Sequence, residues 1–427
     1  MTQQQSRRLF WSALLGNLFE HYDIALFGFL SPFLAHLVFP KQDPVAALIL
    51  TYAMIPLGMV VRPLGSLIFG YIGDVYGRKT ALSISMGGMA LVSGAIAFSP
   101  TNSEAGLVSP ILFAIGRIIQ NFLAAGESMG GAIFLLEQTE AKKQDFLSSL
   151  YSASTIAGIL FASLGVAFLC YLEIIDTGWR LLYLFGCITA LFGWFLRKTN
   201  FQESQTEFSI PPKKNLAEEL KALWTYKVAL IQIALVAGFG YACYSVSLVL
   251  LNGFIPLISS ITKAEMTGLN TILLLFDFCA LPFFGWLSAK ITREKMMLSA
   301  SLCIVLLTLP LLLLLNSPTF SLVVLIRVCF VLFGVAFFAP FHAWVQQLVP
   351  ASHRYFIISF GYALGVQLLG APTAAISLWM YKKTGIIVSI GWYWIALAFS
   401  CAILFLNNKQ KISTNEAKHE QLRQSIK

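Results

Sequence analysis

Twelve times along its 427 residues this chain runs apolar for about 20 residues or more. The runs fall at roughly 9–39, 45–73, 80–99, 107–136, 147–171, 179–196, 227–257, 266–288, 296–315, 319–347, 355–381 and 386–406. Each is long enough to cross a hydrocarbon core ~30 Å thick as an α-helix. The expected fold class is an all-α membrane protein with twelve transmembrane helices. Composition agrees, with 57% hydrophobic and 11% charged residues against about 25% charged in a soluble globular domain. The seven cysteines lie within or at the ends of apolar runs, without paired spacing. Neither a disulfide framework nor a metal site is expected from them. The first run is longer than a signal-peptide core, contains Glu20 and Asp23, and lacks a small-residue cleavage site, so it reads as a retained membrane helix.

The net charge of +9 is explained by placement rather than by nucleic-acid binding. One side of the predicted membrane holds 21 of the 29 lysines and arginines, among them Arg78, Lys79, Lys142, Lys143, Arg293 and Arg354. The positive-inside rule makes that side cytoplasmic and puts both termini there, as an even number of spans requires. The expected location is the cell (inner) membrane. The longest polar stretch, about 197–226, contains Pro211-Pro212-Lys213-Lys214 and an amphipathic piece from Leu216 to Trp224. It separates six spans from six. The expected organisation is a bundle over 1–198, a cytoplasmic linker over 199–226, a second bundle over 227–407 and a basic cytoplasmic tail over 408–427. The halves also echo each other. Gly70-Tyr-Ile-Gly-Asp74-Val-Tyr-Gly77-Arg78 follows the second span, and Gly285-Trp-Leu-Ser-Ala-Lys-Ile-Thr292-Arg293 follows the eighth. Parallel six-helix halves with a ligand site between them near the midplane are a known transporter plan.

Several motifs stand in order along the chain. Gly16-Asn17-Leu-Phe-Glu20-His21-Tyr22-Asp23 lies in the first span and Arg62-Pro-Leu-Gly in the second, followed by Asp74, Gly77, Arg78 and Lys79. Arg117-Ile-Ile-Gln120-Asn121 through Glu127 and Gly130-Gly131 fills the fourth, ending near Glu137. Gly178-Trp179-Arg180 opens the sixth, and His353-Arg354-Tyr355 precedes Gly361-Tyr362 in the eleventh. With these motifs the chain resembles the major facilitator superfamily, and within it the metabolite:proton symporter branch of proline/betaine, citrate, α-ketoglutarate and shikimate carriers. The resemblance implies two six-helix bundles working by alternating access, and an anion contact at Arg180. It also exposes departures. His21 stands where the branch has an aromatic residue, Val75 replaces a cation and Asn121 replaces a glycine. Ala289 and Thr292 stand where Asp and Gly would be, which predicts a weakened latch in the second half.

Charged groups inside spans are expensive, about 2.5–3.5 kcal/mol each on insertion scales, so they face protein or a cavity and mark substrate or ion paths. Glu20 and Asp23 on the first span, Glu127 on the fourth and Asp277 on the eighth are the candidates for proton coupling, since protonation removes much of that cost. Asn17 and His21 share a face with Glu20. Arg62 offers a planar fork suited to a carboxylate and cannot deprotonate. Arg117, Gln120 and Asn121 follow on a polar stripe of the fourth span. Tyr241 and Tyr244 face one way on the seventh, and Arg327 in the tenth is the natural partner of Asp277. With Arg180 these complete the candidate substrate contacts. Asp74, Gly77, Arg78, Lys79 and Glu137 form a candidate cytoplasmic gate whose ion pairs break and re-form.

No nucleophile elbow, phosphate loop, nucleotide motif or metal-ligand cluster is present in the sequence, so an enzyme is not expected and no cofactor is implied. The main expectation is a secondary transporter that imports a small carboxylate or zwitterion with protons, able to act as a monomer. The alternatives are a proton-driven exporter of a drug, metabolite or siderophore, an importer of a citrate-type siderophore, and a transport-inactive sensor.

Overall fold

In hydrocarbon, a run of apolar residues satisfies its backbone polar groups through the helical hydrogen-bond ladder. The computed structural model describes residues 3–38, 59–200 and 216–407, which are almost entirely helical. The Pro211-Pro212-Lys213-Lys214 stretch, the tail beyond 407 and the first part of the second predicted span lie outside the described residues. The first six helices are α1 (Gln3–Val38), α2 (Arg62–Val75), α3 (Arg78–Ala97), α4 (Val108–Glu137), α5 (Gln144–Tyr171) and α6 (Ile175–Asn200). The second six are α7 (Lys227–Ile258), α8 (Lys263–Ile291), α9 (Arg293–Leu313), α10 (Phe320–Val345), α11 (Ala351–Thr384) and α12 (Ile387–Asn407). Ten of them are long and apolar enough to cross a membrane, and α1 and α2 occupy the places of the first two predicted spans. The predicted amphipathic piece is a helix, Leu216–Thr225, resting on α7 and α11.

Within the first half, α1 packs on α4, α5 and α6, α3 packs on α4 and α6, and α2 packs on α4. In the second, α7 packs on α10 and α11, and α10 also contacts α8 and α9. The halves meet chiefly through two helix pairs, α2 with α11 and α5 with α8, with smaller contacts of α11 and α10 on α4 and of α10 on α5. A shift of six helices turns α2 into α8 and α5 into α11, so the two contacts are the same contact seen from either half.

Lipid tails are as apolar as leucine, so helices here associate by close packing of small residues rather than by hydrophobic exclusion. Gly73 leaves room for the Tyr355 ring and Gly70 for the backbone of Phe356, which lets α11 lie directly on α2. Gly285 does the same for Ser149 and the Asp145 carbonyl where α8 meets α5.

The echo between the halves extends to the backbone. Gly77 precedes α3 with φ 95° and ψ 147°, and Thr292 precedes α9 with φ 92° and ψ 141°. That region suits glycine and strains a β-branched residue by of order 1–3 kcal/mol. The turn is thus the same in both halves, and the second half makes it with the wrong residue. Thr292 is exposed, so its side chain offers little packing in return. Replacing Thr292 by Gly is expected to raise the thermal midpoint of the purified protein, by an amount equivalent to about 1 kcal/mol. A lower midpoint would show that the threonine side chain contributes more than its backbone strain costs.

Candidate functional site

Between the halves lies a narrow cleft whose polar lining includes Arg62, Ser66, Ser128, Ser359, Tyr362 and Gln367. Arg62 opens α2, with Pro63 beside it in the first turn, where a missing N–H costs nothing. Its Nε donates to Asn121 Oδ1 at 3.1 Å. Asn121 is itself held, because its Nδ2 donates to the Arg117 carbonyl at 2.9 Å. Among the described residues no other hydrogen bond or ion pair reaches the Arg62 guanidinium, so its Nη groups are unmet. Across the cleft, the Ser359 hydroxyl and Gln367 Nε2 are buried without a partner among the described residues. Gln367 sits in a π-helical turn, Val366–Gly370, a distortion often found at functional sites.

Further groups reach the same space. Ser128 donates to Glu20 Oε1 at 2.7 Å, and the Tyr362 hydroxyl is within electrostatic reach of Arg62, Glu20 and Tyr241. His21 Nδ1 meets the Asn17 carbonyl at 2.9 Å and approaches Glu20 Oε2 at 3.9 Å. The rings of Tyr241 and Tyr244 lie 6.2 Å apart, the first within electrostatic reach of Arg62 and the second of Asp277. Asp277 is half-buried and has no hydrogen bond or ion pair among the described residues.

A second polar chain is buried inside the first half. Ser93 donates to Asp23 Oδ2 at 2.7 Å, Gln120 Nε2 donates to the Ser93 hydroxyl at 3.3 Å, and Arg117 Nη1 donates to Gln120 Oε1 at 2.5 Å. The Arg117 guanidinium also lies 4.4 Å from the Phe27 ring centre. Asp23 Oδ1, Arg117 Nε and the Tyr183 hydroxyl are buried without partners among the described residues. The chain therefore links a carboxylate to a guanidinium through neutral groups, without direct ion pairing. Glu127 is buried on α4, away from solvent.

Arg117 and Gln120, predicted as substrate contacts, are thus buried away from the cleft, and three further predicted contacts lie elsewhere. Asn17 is fully buried, with its Nδ2 facing the Tyr151 carbonyl and the Ser154 and Thr155 hydroxyls, so it ties α1 to α5. Arg327 does not pair with Asp277. It donates to the Ser247 carbonyl at 3.0 Å, Asn252 Oδ1 at 3.4 Å and Asn270 Oδ1, which cross-link α10, α7 and α8. Arg180 sits at the far end of α6, bonded to the Ser99 carbonyl at 3.1 Å and 3.6 Å from Glu104. The Thr101 backbone N–H and hydroxyl hold that exposed glutamate below the usual carboxylate range. His342 packs among Tyr151, Phe338 and Phe341 as a core side chain.

At the end of the bundle that bears the Asp74–Lys79 loop, the halves are closed on each other. The Asp74 carboxylate accepts from the Tyr355 and Phe356 backbone N–H groups, at 3.3 and 2.8 Å, and pairs with Arg78. Arg78 bridges onward to Glu137 and the Ala351 carbonyl, and Arg354 joins Glu137 at 3.0 Å. Lys79 follows, half-buried, at the start of α3. The Tyr355 hydroxyl reaches the Gly126 carbonyl. The weakened second latch predicted from Ala289 takes a different form: Arg293 finds its carboxylate on the other half, in Asp145, with Gln144 and the Ala343 carbonyl beside it. Sequence reading missed Asp145, Ser93, Ser359 and Gln367, whose one signal is a polar side chain within or at the edge of an apolar run.

Residues 13–260 and 237–427 match the family model of the Major Facilitator Superfamily. The chain is 29% identical over 398 residues to a citrate-proton symporter of Klebsiella pneumoniae, covering 91% of this chain and 88% of that protein. It is 26% identical over 421 residues to an alpha-ketoglutarate permease of Escherichia coli, covering 96% of each. Among solved structures, the proton:xylose symporter XylE shares the fold at a TM-score of 0.70 and 16% identity, over 95% of this chain and 96% of that one. A human organic anion transporter does so at 0.70 and 13%, over 95% and 100%.

The closed end yields a direct check. Asp74→Ala removes the acceptor for two N–H groups at the start of α11 and leaves Arg78 unbalanced. Hydrogen exchange of a peptide covering Arg354–Gly365 is expected to quicken by about tenfold, since a lost charged hydrogen bond is worth about 1.5–3 kcal/mol. Exchange at the wild-type rate would remove Asp74 from the closure.

Proposed function

We propose, from the fact that this chain belongs to the major facilitator superfamily, that it imports a small carboxylate or zwitterion together with protons. As a member it is a multi-pass secondary transporter. The observation that carries the finer reading is Arg62, a guanidinium at the meeting of the two halves with its Nη groups unmet among the described residues. A charge held at cost and left unsatisfied by the protein is poised for an anion. Relatives named for proton symport with citrate and for α-ketoglutarate permeation support the carboxylate and the proton.

The basic loops assign the closed end to the cytoplasm, so the conformation described above is closed toward the cytoplasm. A substrate carboxylate enters from outside and meets Arg62, with Tyr241, Tyr362 and Gln367 completing the contact from the second half. Asp23 takes the coupling proton at the head of the buried chain to Arg117. Neutralising Asp23 frees Arg117 from its field and changes what α1 and α4 hold between them. Glu20 and Asp277 are the further carboxylates that substrate or protons would address. Ligand and proton together favour the state in which the Asp74 and Asp145 pairs part, and their differential affinity for the two states is all that drives the cycle.

Two steps test this. A thermal-shift screen with citrate, α-ketoglutarate and glycine betaine on purified protein identifies a ligand, because binding to the folded state raises its stability. Proteoliposomes with an inward proton gradient then report accumulation of that ligand. The Asp23→Asn variant is expected to lose gradient-driven accumulation while keeping ligand exchange between the two sides. Accumulation at the wild-type level in that variant would sink the assignment of Asp23.

A further inference from the structure

Resting on the reading of Arg62 as the anion anchor, the geometry around it points to a residue with a separate task. A guanidinium has five N–H donors in a fixed fork. Here the Nε–H is taken by Asn121 Oδ1 at 3.1 Å. A carboxylate can bind such a group side-on, across Nε and one Nη, or end-on, across the two Nη atoms. With Nε occupied, the end-on edge is the one left. Asn121 is well placed to enforce this. It is 1% exposed, and its own amide is pinned by donation to the Arg117 carbonyl at 2.9 Å, so its oxygen cannot swing away from Arg62. In the family pattern this position is a glycine, which has nothing to offer Nε.

The surrounding charges support a single socket. Arg117 is engaged with Gln120 and the Phe27 ring, Arg180 with Ser99 and Glu104 at the far end, and Arg327 with Ser247, Asn252 and Asn270. Arg62 is thus the one intramembrane arginine that lines the cleft, with no partner on either Nη among the described residues. Opposite it stand neutral groups, the Ser359 hydroxyl and the Gln367 amide, both lacking partners among the described residues.

We propose that Asn121 is a positioning residue that locks the Nε edge of Arg62, so that the cleft presents one end-on socket for one carboxylate group of the substrate. A substrate with further carboxylates must leave them to neutral hydrogen-bonding groups.

The test is a double-mutant cycle on the full-length protein, with affinities for citrate, α-ketoglutarate and glycine betaine read by thermal shift. Asn121→Ala is expected to weaken the best of these three probes by about tenfold while the midpoint of the unliganded protein stays within about two degrees. In the Arg62→Lys background, which keeps a cation but has no Nε–H, the same substitution is expected to change affinity less than twofold. A side chain that only packs α4 would weaken binding equally in both backgrounds, and that additive result overturns the role of Asn121 while leaving Arg62 in place. If Arg62→Lys itself leaves every affinity unchanged, or none of the probes stabilises the wild-type protein, the carboxylate reading of Arg62 falls and this proposal with it.

Discussion

The structure turns on the Asp74 carboxylate. It sits at the end of α2 and caps the first N–H groups of the long helix segment in α11, a position where a helix carries unmatched donors and a partial positive charge. Arg78 balances the negative charge and passes the connection to Glu137 and, through it, to Arg354. This carboxylate therefore joins α2 to α11, as Asp145 joins α5 to Arg293 at the start of α9. By doing so it places Tyr362, Ser359 and Gln367 of α11 across from Arg62 of α2. The cleft exists because the closed end holds these two helices together.

The intramembrane arginines sort by how fully the protein satisfies them. Arg327 has three acceptors on two other helices. At about 1.5–3 kcal/mol for each hydrogen bond to a charge, these outweigh an insertion cost of about 2.5–3.5 kcal/mol. Its presence is explained by structure alone. Arg117 has one side-chain acceptor and one aromatic face, an intermediate case. Among the described residues Arg62 has one neutral acceptor, which at most balances its cost. Of the three, Arg62 is the one least served by the described residues.

Much of this was readable from the chain itself. Apolar runs marked the spans, the repeated loop marked the halves, and Arg62 stood out as a cation far from either end of its run. Partnerships were not readable, because they depend on how each helix is rotated and where it crosses its neighbours. Asn17 shares a helical face with Glu20, yet the close approach at Gly158 turns it into α5, while Glu20 reaches Ser128 on α4. Arg327 and Asp277 look like a pair by charge, but Asn270, seven residues before Asp277 on α8, takes the guanidinium first. The second latch looked depleted because its own loop lacks a carboxylate. Asp145, which supplies one, belongs to the other half and to a run with no such motif.

Tyr355 has a mechanical consequence. Its ring projects from α11 across Gly73 of α2 and Gly130 of α4, and its hydroxyl ends on the Gly126 carbonyl. It works as a bolt: a single side chain from one half pins two helices of the other. Gly73 and Arg62 are eleven positions apart on α2, a lever arm of roughly 16 Å at 1.5 Å per residue. The bolt is at one end of that rod and the guanidinium at the other. Withdrawing the ring loosens α2 against α4 at the same moment that it frees α11. A pull on the arginine is therefore felt at the bolt by leverage through one stiff helix, with no relay of side chains needed in between.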